Sequence, residues 1–254
     1  MTNKVLISGI FGGIGREMCK NFTQRGIKVV GIDLHKALDH DLDLHDFFKI
    51  DLSKKEALNE RFEEIYSKHS DIDLVINNAG VAHLQPFLDE TEEEFNQVMD
   101  INFNSLVYST RFWVKRFHDH INCGIANMAS MAGHVSPSGI CSYSASKHAV
   151  VGFTESLRLE LKALDIPIKI YLITPGFINT NIMKIGEVGG PPESFSKLTS
   201  TPEKAGIAIV QSILKGQETI IPDSGGKILK QMNRWAPDIL NMGNSFIAKR
   251  ILKK

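Results

Sequence analysis

Tyr143 and Lys147 stand four residues apart in the run Tyr143-Ser-Ala-Ser-Lys147. On a helix such a pair shares one face. A lysine charge beside a phenol favours the phenolate, so the pair predicts a tyrosine pKa drawn down toward working pH. A tyrosine tuned in this way gives a proton to a carbonyl oxygen or takes one from an alcohol. Ser130 lies 13 residues upstream, just after an apolar run. Strand ends line the ligand crevice of a doubly wound sheet, so its hydroxyl can bond a substrate oxygen as charge develops there.

A second constellation opens the chain. Ser8-Gly-Ile-Phe-Gly-Gly-Ile-Gly15 carries glycines at 9, 13 and 15, a Gly-x-x-x-Gly-x-Gly spacing rather than the commoner Gly-x-Gly-x-x-Gly. Glycines there let backbone N–H groups approach a pyrophosphate, which sits on the positive end of the following helix. Asp33 follows Gly15 by 18 residues. Its carboxylate can accept hydrogen bonds from the adenosine ribose and repels a 2′-phosphate. No Arg or Lys stands among Ile10, Phe11, Gly12 or Leu34. These residues favour NAD over NADP.

Alternating elements must position both groups. Strands are expected at Val5–Ser8, Lys28–Ile32, Phe47–Ile50, Leu74–Ile76, Ile125–Met128, Ile168–Ile173 and Thr219–Ile221. Helices are expected over Ile14–Arg25, Lys54–Lys68, Glu92–His118 (one long helix), Tyr143–Leu164 and from Thr201 to Gly216. That alternation predicts an α/β fold in a single domain: a doubly wound parallel sheet of about seven strands with helices on both faces. Gly186-Glu-Val-Gly-Gly-Pro-Pro192 resists regular structure and reads as a mobile lid.

Composition narrows the class. The chain has 254 residues, 43% hydrophobic and 23% charged, enough for a sizeable core and incompatible with a disordered chain. Its 29 basic and 29 acidic residues cancel, so no global field invites nucleic acid. Cys19, Cys123 and Cys141 form no metal spacing. No run is long and apolar enough for a spanning helix, and the glycine-broken N-terminus does not read as a signal peptide. A cytoplasmic protein is expected. The neutral total hides an asymmetry: Lys227–Lys254 holds seven basic residues and one acid. Apolar residues recur there at Ile228, Met232, Trp235, Ile239, Met242 and Phe246, a helical stripe that Pro237 should interrupt. Residues 1–226 therefore read as the catalytic domain and 227–254 as a basic amphipathic segment. It packs on the domain or a partner subunit, or makes a peripheral membrane contact with anionic lipid.

Taken together, the Ser8–Gly15 turn, Asp33, Asp51-Leu52, Asn77-Asn-Ala-Gly80, Asn102, Ser130, Tyr143/Lys147 and Pro175-Gly-Phe-Ile-Asn-Thr180 resemble the short-chain dehydrogenase/reductase family. The likeness covers Lys4 to about Ile221. It departs at Ser8, usually threonine, and in Asn127-Met-Ala-Ser130, where a second serine is common. The resemblance implies a Rossmann-type fold and an oxidoreductase moving a hydride between a nicotinamide cofactor and an alcohol or ketone. Tyr143 would be the general acid/base. Lys147 would hold the nicotinamide ribose, Ser130 the substrate oxygen, and Asn102 a water linking Lys147 to solvent. Gly9, Phe11, Gly13, Ile14, Gly15, Asp33, Asp51, Leu52, Asn78, Gly80, Pro175, Gly176, Ile178 and Thr180 would line the cofactor. A homodimer or homotetramer built on the long helices is implied as well.

Substrate identity does not follow from these motifs. Met131, His134, Ile182 and Met183 are the candidate pocket wall, mostly apolar and without an arginine for a carboxylate. They suit a hydrophobic secondary alcohol or ketone: a steroid, a retinoid or a fatty-chain carbonyl. For His134 local hydrogen bonding is the plainer reading. Two other classes were weighed. A non-catalytic NAD-binding sensor would share the glycine turn but need no Ser130, Tyr143 and Lys147 together. An S-adenosylmethionine methyltransferase has no use for the Tyr/Lys pair.

Overall fold

The computed structural model describes residues 2–35, 42–118, 120, 122–180, 182, 199–238 and 240. Seven strands run parallel in the order β3-β2-β1-β4-β5-β6-β7. They are β1 Lys4–Ser8, β2 Lys28–Asp33, β3 Asp46–Lys49, β4 Leu74–Asn77, β5 Gly124–Met128, β6 Lys169–Ile173 and β7 Thr219–Ile220. The central strands β1, β4 and β5 are buried throughout and mostly apolar, as a sheet covered on both faces requires. Strand order reverses between β1 and β4, where a ligand crevice opens at the strand C-termini.

Among the described residues seven α-helices cover the sheet: α1 Gly13–Thr23, α2 Lys55–Lys68, α3 Glu92–Met99, α4 Ser105–Phe117, α5 Cys141–Ala163, α6 Pro202–Leu214 and α7 Ser224–Trp235. On one face Met18 and Phe22 of α1 and Ile209 and Ile213 of α6 pack on Val5, Ile7 and Val29. On the other, Phe62 of α2 and Phe112 and Trp113 of α4 pack on Leu6, Val30, Val75 and Ile125. Helix starts follow local chemistry. Thr91 and Glu94 form a reciprocal capping box before α3. Thr201 caps α6, whose first residue is Pro202.

Three features depart from the sequence expectations. The long helix over Glu92–His118 is interrupted: Asp100–Asn104 forms a π-turn between α3 and α4. Asn102 within it is tied sideways to Val81, which accounts for the local widening. Second, α7 begins at Ser224 with Asp223 as its cap, so the expected boundary at 226/227 falls inside a helix. Third, the stripe on α7 is rotated. Leu229 is buried and Met232 packs inward, whereas Ile228 and Trp235 are exposed. α7 ends at Trp235, before Pro237. The Gly186–Pro192 segment, Ile239, Met242 and Phe246 lie outside the described residues. Among the described residues no helix is long and apolar enough to cross a membrane.

Candidate active site

The glycine turn is built by close approach. Gly9 adopts φ +65, and a Cβ there would lie 2.8 Å from the Ala79 Cα. At Gly15 a Cβ would lie 2.2 Å from the Gly9 carbonyl oxygen. Gly13 faces Thr180, whose methyl would stand 3.2 Å from an added Cβ. Helix α1 starts with no side-chain cap and no acid in its first turn. Its leading N–H groups therefore present positive charge at the mouth of the crevice. Ile14 packs back on the sheet-face core.

Asp33 closes the other side of this cradle. Its carboxylate accepts from the N–H of Phe11 at 3.0 Å and of Leu34 at 2.8 Å. The Phe11 ring rests on Phe47. Across the β1/β4 reversal, the Ser8 hydroxyl accepts from the N–H of Asn78 at 3.1 Å and Ala79 at 3.2 Å. The usual threonine is thus replaced without loss of the hydroxyl's role. The Asn78 amide donates to the Ser8 and Gly9 carbonyls at 3.0 Å each, so it braces the turn. Asp51 accepts from Ser53, and Leu52 packs into the core beside it.

Ser130, Tyr143 and Lys147 converge where β5 ends and α5 begins. The Ser130 hydroxyl accepts from the Ala132 N–H at 3.1 Å, which leaves its proton to donate. It hydrogen-bonds the Tyr143 phenol. Burial pushes the Tyr143 pKa up, and the Ser130 hydrogen bond acts in the lowering direction. The sequence had predicted lowering by Lys147. The difference has a physical cause: the Lys147 ammonium stands 5.6 Å from the Tyr143 ring centroid and donates to the Met128 carbonyl at 2.8 Å. Burial also pulls the Lys147 pKa down to about 8, weakening its charge near that pH.

Gly80 keeps the ground between Asn102 and Lys147 open. A Cβ there would lie 3.2 Å from Asn102 Oδ1 and 3.5 Å from Lys147 Nζ. Asn102 Oδ1 accepts from the Val81 N–H at 2.8 Å, and its amide donates to Val81 O and Ser146 Oγ. The segment after β6 lies alongside. The Pro175 carbonyl accepts from the Met131 N–H at 2.7 Å, and Ile178 bridges Ser200.

The candidate wall divides. Ile182 packs with Ala132, Ile140 and Tyr143. Met131 packs instead with Val135, Leu229 and Leu240, beneath α7. His134 is held there too: Asn233 donates to its carbonyl at 2.9 Å. Its buried Nε2 has no hydrogen-bond partner among the described residues. Burial, with the Lys230 charge added, holds its pKa below the ordinary imidazole value. Met183 lies outside the described residues.

Two groups escaped the sequence reading. Asp223, 5% exposed, accepts from the N–H groups of Gly176 and Gly226 at 2.7 Å each. The signal was present as Asp-Ser-Gly-Gly, an N-cap pattern opening α7. Asn77, Thr110, Asn127 and Thr154 form a buried network joining β4, β5, α4 and α5. Asn127 donates to Thr154 and accepts from Asn77. No local pattern announces such a network.

Residues 3–187 match the family model described as short chain dehydrogenase. The chain belongs to the short-chain dehydrogenase family. Within that family it is 32% identical over 184 residues to a 3-oxoacyl-[acyl-carrier-protein] reductase of Buchnera aphidicola, covering 70% of this chain and 75% of the relative. It is 31% identical over 187 residues to 3beta-hydroxysteroid dehydrogenase 2 of Eggerthella lenta, covering 70% and 71%. Among solved structures, a 4-hydroxyisoleucine dehydrogenase complexed with NADH superposes with a TM-score of 0.73 at 26% identity, over 86% of this dehydrogenase and 96% of that one.

Proposed function

We propose that this short-chain dehydrogenase oxidises or reduces a hydrophobic secondary alcohol or ketone, with NAD as its cofactor. The observation that carries the reading is the meeting of half-buried Ser130 with buried Tyr143 and Lys147 where β5 ends and α5 begins. A nicotinamide dinucleotide fits the residues present. The glycine cradle has no room for side chains, the α1 N-terminus offers uncapped N–H groups, and the Asp33 carboxylate stands at the rim. Asp33 with no cation on the adjoining turn favours the plain ribose over its 2′-phosphate.

When bound, the nicotinamide accepts or supplies the hydride. The chain's own residues manage the proton and the oxygen. Ser130, fixed as a donor by Ala132, hydrogen-bonds the substrate oxygen. Tyr143 removes the alcohol proton in oxidation and returns it in reduction. Lys147 holds the nicotinamide ribose, and the Ser130 hydrogen bond works against the burial that raises the phenol. The gap at Gly80 lets the proton leave past Asn102. A sensor without catalysis would leave this constellation without use.

Ile182, Ala132 and Ile140 around Tyr143 support an apolar substrate. Named activities on a steroid and on a fatty-acyl thioester among the relatives point the same way. Leu159 on α5 and Leu164 just after it, both exposed, support a homodimer or homotetramer. The test follows NADH absorbance with NAD⁺ and secondary alcohols graded from short polar to steroid-like. Signal confined to apolar alcohols, and absent in Tyr143→Phe, is expected. Retained turnover in that variant refutes the catalytic assignment. Tighter binding of NADPH than NADH, by fluorescence titration, refutes the cofactor choice.

A further inference from the structure

Helix α7 presents to solvent a face that nothing in the proposed chemistry uses. Ile228 is 44% exposed and Trp235 75% exposed. They are seven residues apart, so they share one side of the helix. Lys227, Lys230 and Arg234 are also exposed and lie together about 80–160° round the helix from that side. The helix has no acidic residue of its own, and the next acid along the chain, Asp238, lies beyond its end; from α5, exposed Glu155 faces His134 together with Lys230. The Trp235 indole N–H donates to Gln231 on the same helix at 3.1 Å, and Arg234 lies over its ring. The adjoining side is committed inward: Leu229 and Met232 pack on Met131 and Val135.

We propose that the outer face of α7 is a docking surface for an anionic lipid bilayer. Exposed tryptophan and isoleucine would enter the headgroup boundary, where an amphipathic ring is at home. Three cations with no acid among them match a negatively charged surface, and a neutral surface gives them nothing. The sequence that follows α7 adds Lys249, Arg250, Lys253 and Lys254 and no further acid after Asp238, so it does not oppose the attraction. The helix is tied to the segments that follow β5 and β6: Asp223 at its cap holds Gly176, and Asn233 holds His134. Docking there would set the crevice mouth against a phase that dissolves apolar alcohols. The surface itself does not depend on the substrate reading.

The two tryptophans give a direct readout, because Trp113 is 0% exposed and Trp235 faces solvent. The full chain is mixed with vesicles of phosphatidylcholine alone, or of equal parts phosphatidylcholine and phosphatidylserine. Co-sedimentation and a blue shift of emission are expected with the anionic vesicles only. Both should fade in about 1 M salt, where the Debye length is about 3 Å. Trp235→Phe should lose the shift. Each cation near the surface is worth roughly fivefold in partitioning, so Lys227→Gln/Lys230→Gln/Arg234→Gln should weaken binding roughly 100-fold. Its turnover of a water-soluble alcohol should stay unchanged, which keeps this test separate from that of the chemistry. Equal binding to both vesicles, no binding, or a shift that survives Trp235→Phe overturns the proposal. So does a shift that appears with protein concentration alone, which would give the face to a second copy of the chain.

Discussion

Replacing Asp223 tests how the segment after β6 is held against the site. Its two carboxylate oxygens each accept one N–H at 2.7 Å, from Gly176 and from Gly226. Hydrogen bonds to a charged acceptor contribute about 1.5–3 kcal/mol each, and a buried donor left alone costs a similar amount. The two bonds share one side chain, so Asp223→Ala should lose about 3 kcal/mol rather than the full sum. In a chain of this size that lowers Tm by roughly 6–12 °C. Asp223→Ser separates the two roles. A serine oxygen can still cap α7, but it is too short to clamp Gly176 as well. It should recover about half of the loss, while KM for NAD stays raised because the Gly176 turn is released in both variants. Urea unfolding and steady-state kinetics on the same preparations give both quantities. An alanine variant within about 0.5 kcal/mol of the parent, or a serine variant no better than alanine, refutes the clamp.

Gly15→Ala should abolish NADH binding by fluorescence titration, since the new Cβ would sit 2.2 Å from a backbone oxygen with no flexible neighbour to yield. Lys147 is lowered from 10.5 to about 8 on folding, so the unfolded chain holds the extra proton between those values. Stability should therefore rise with pH from about 8 to 10.5, by about 3 kcal/mol relative to Lys147→Met in parallel denaturant titrations. A flat difference across that window rejects the buried charge. Asn127→Leu strands the Asn77 and Thr154 partners in the core and should cost about 2–3 kcal/mol by urea unfolding, with a smaller effect from Thr154→Val at its end.

Most of the architecture was legible because each strand is a short apolar run and each helix carries its own punctuation, as at Thr201-Pro202 and Gly216. Tyr143, Lys147 and Ser130 were legible as spacing plus chemistry. What was not legible depends on three-dimensional neighbours. The π-turn at Asp100–Asn104 arises because Asn102 bonds Val81, 21 residues away in sequence. The rise in the Tyr143 pKa reflects burial, which no local motif encodes. Asn78 belonged to the right place, but its amide serves the glycine turn. On α7 the spacing of Ile228, Met232 and Trp235 suggested one inward side, yet Leu229 and Met232 face the core while Ile228 and Trp235 do not. Periodicity fixes an apolar face only when the other face is polar, and here both sides carry apolar residues.

The brace between Ser8, Asn78, Phe11 and Asp33 is built wholly from the chain's own groups. Its order therefore comes with the pairing of the central strands that carry it. A rigid receptor loses little conformational entropy on association, so binding strength here is coupled to the integrity of the central strands. Damage to the sheet core, far from any contact with the dinucleotide, will surface first as weakened affinity in an otherwise folded enzyme.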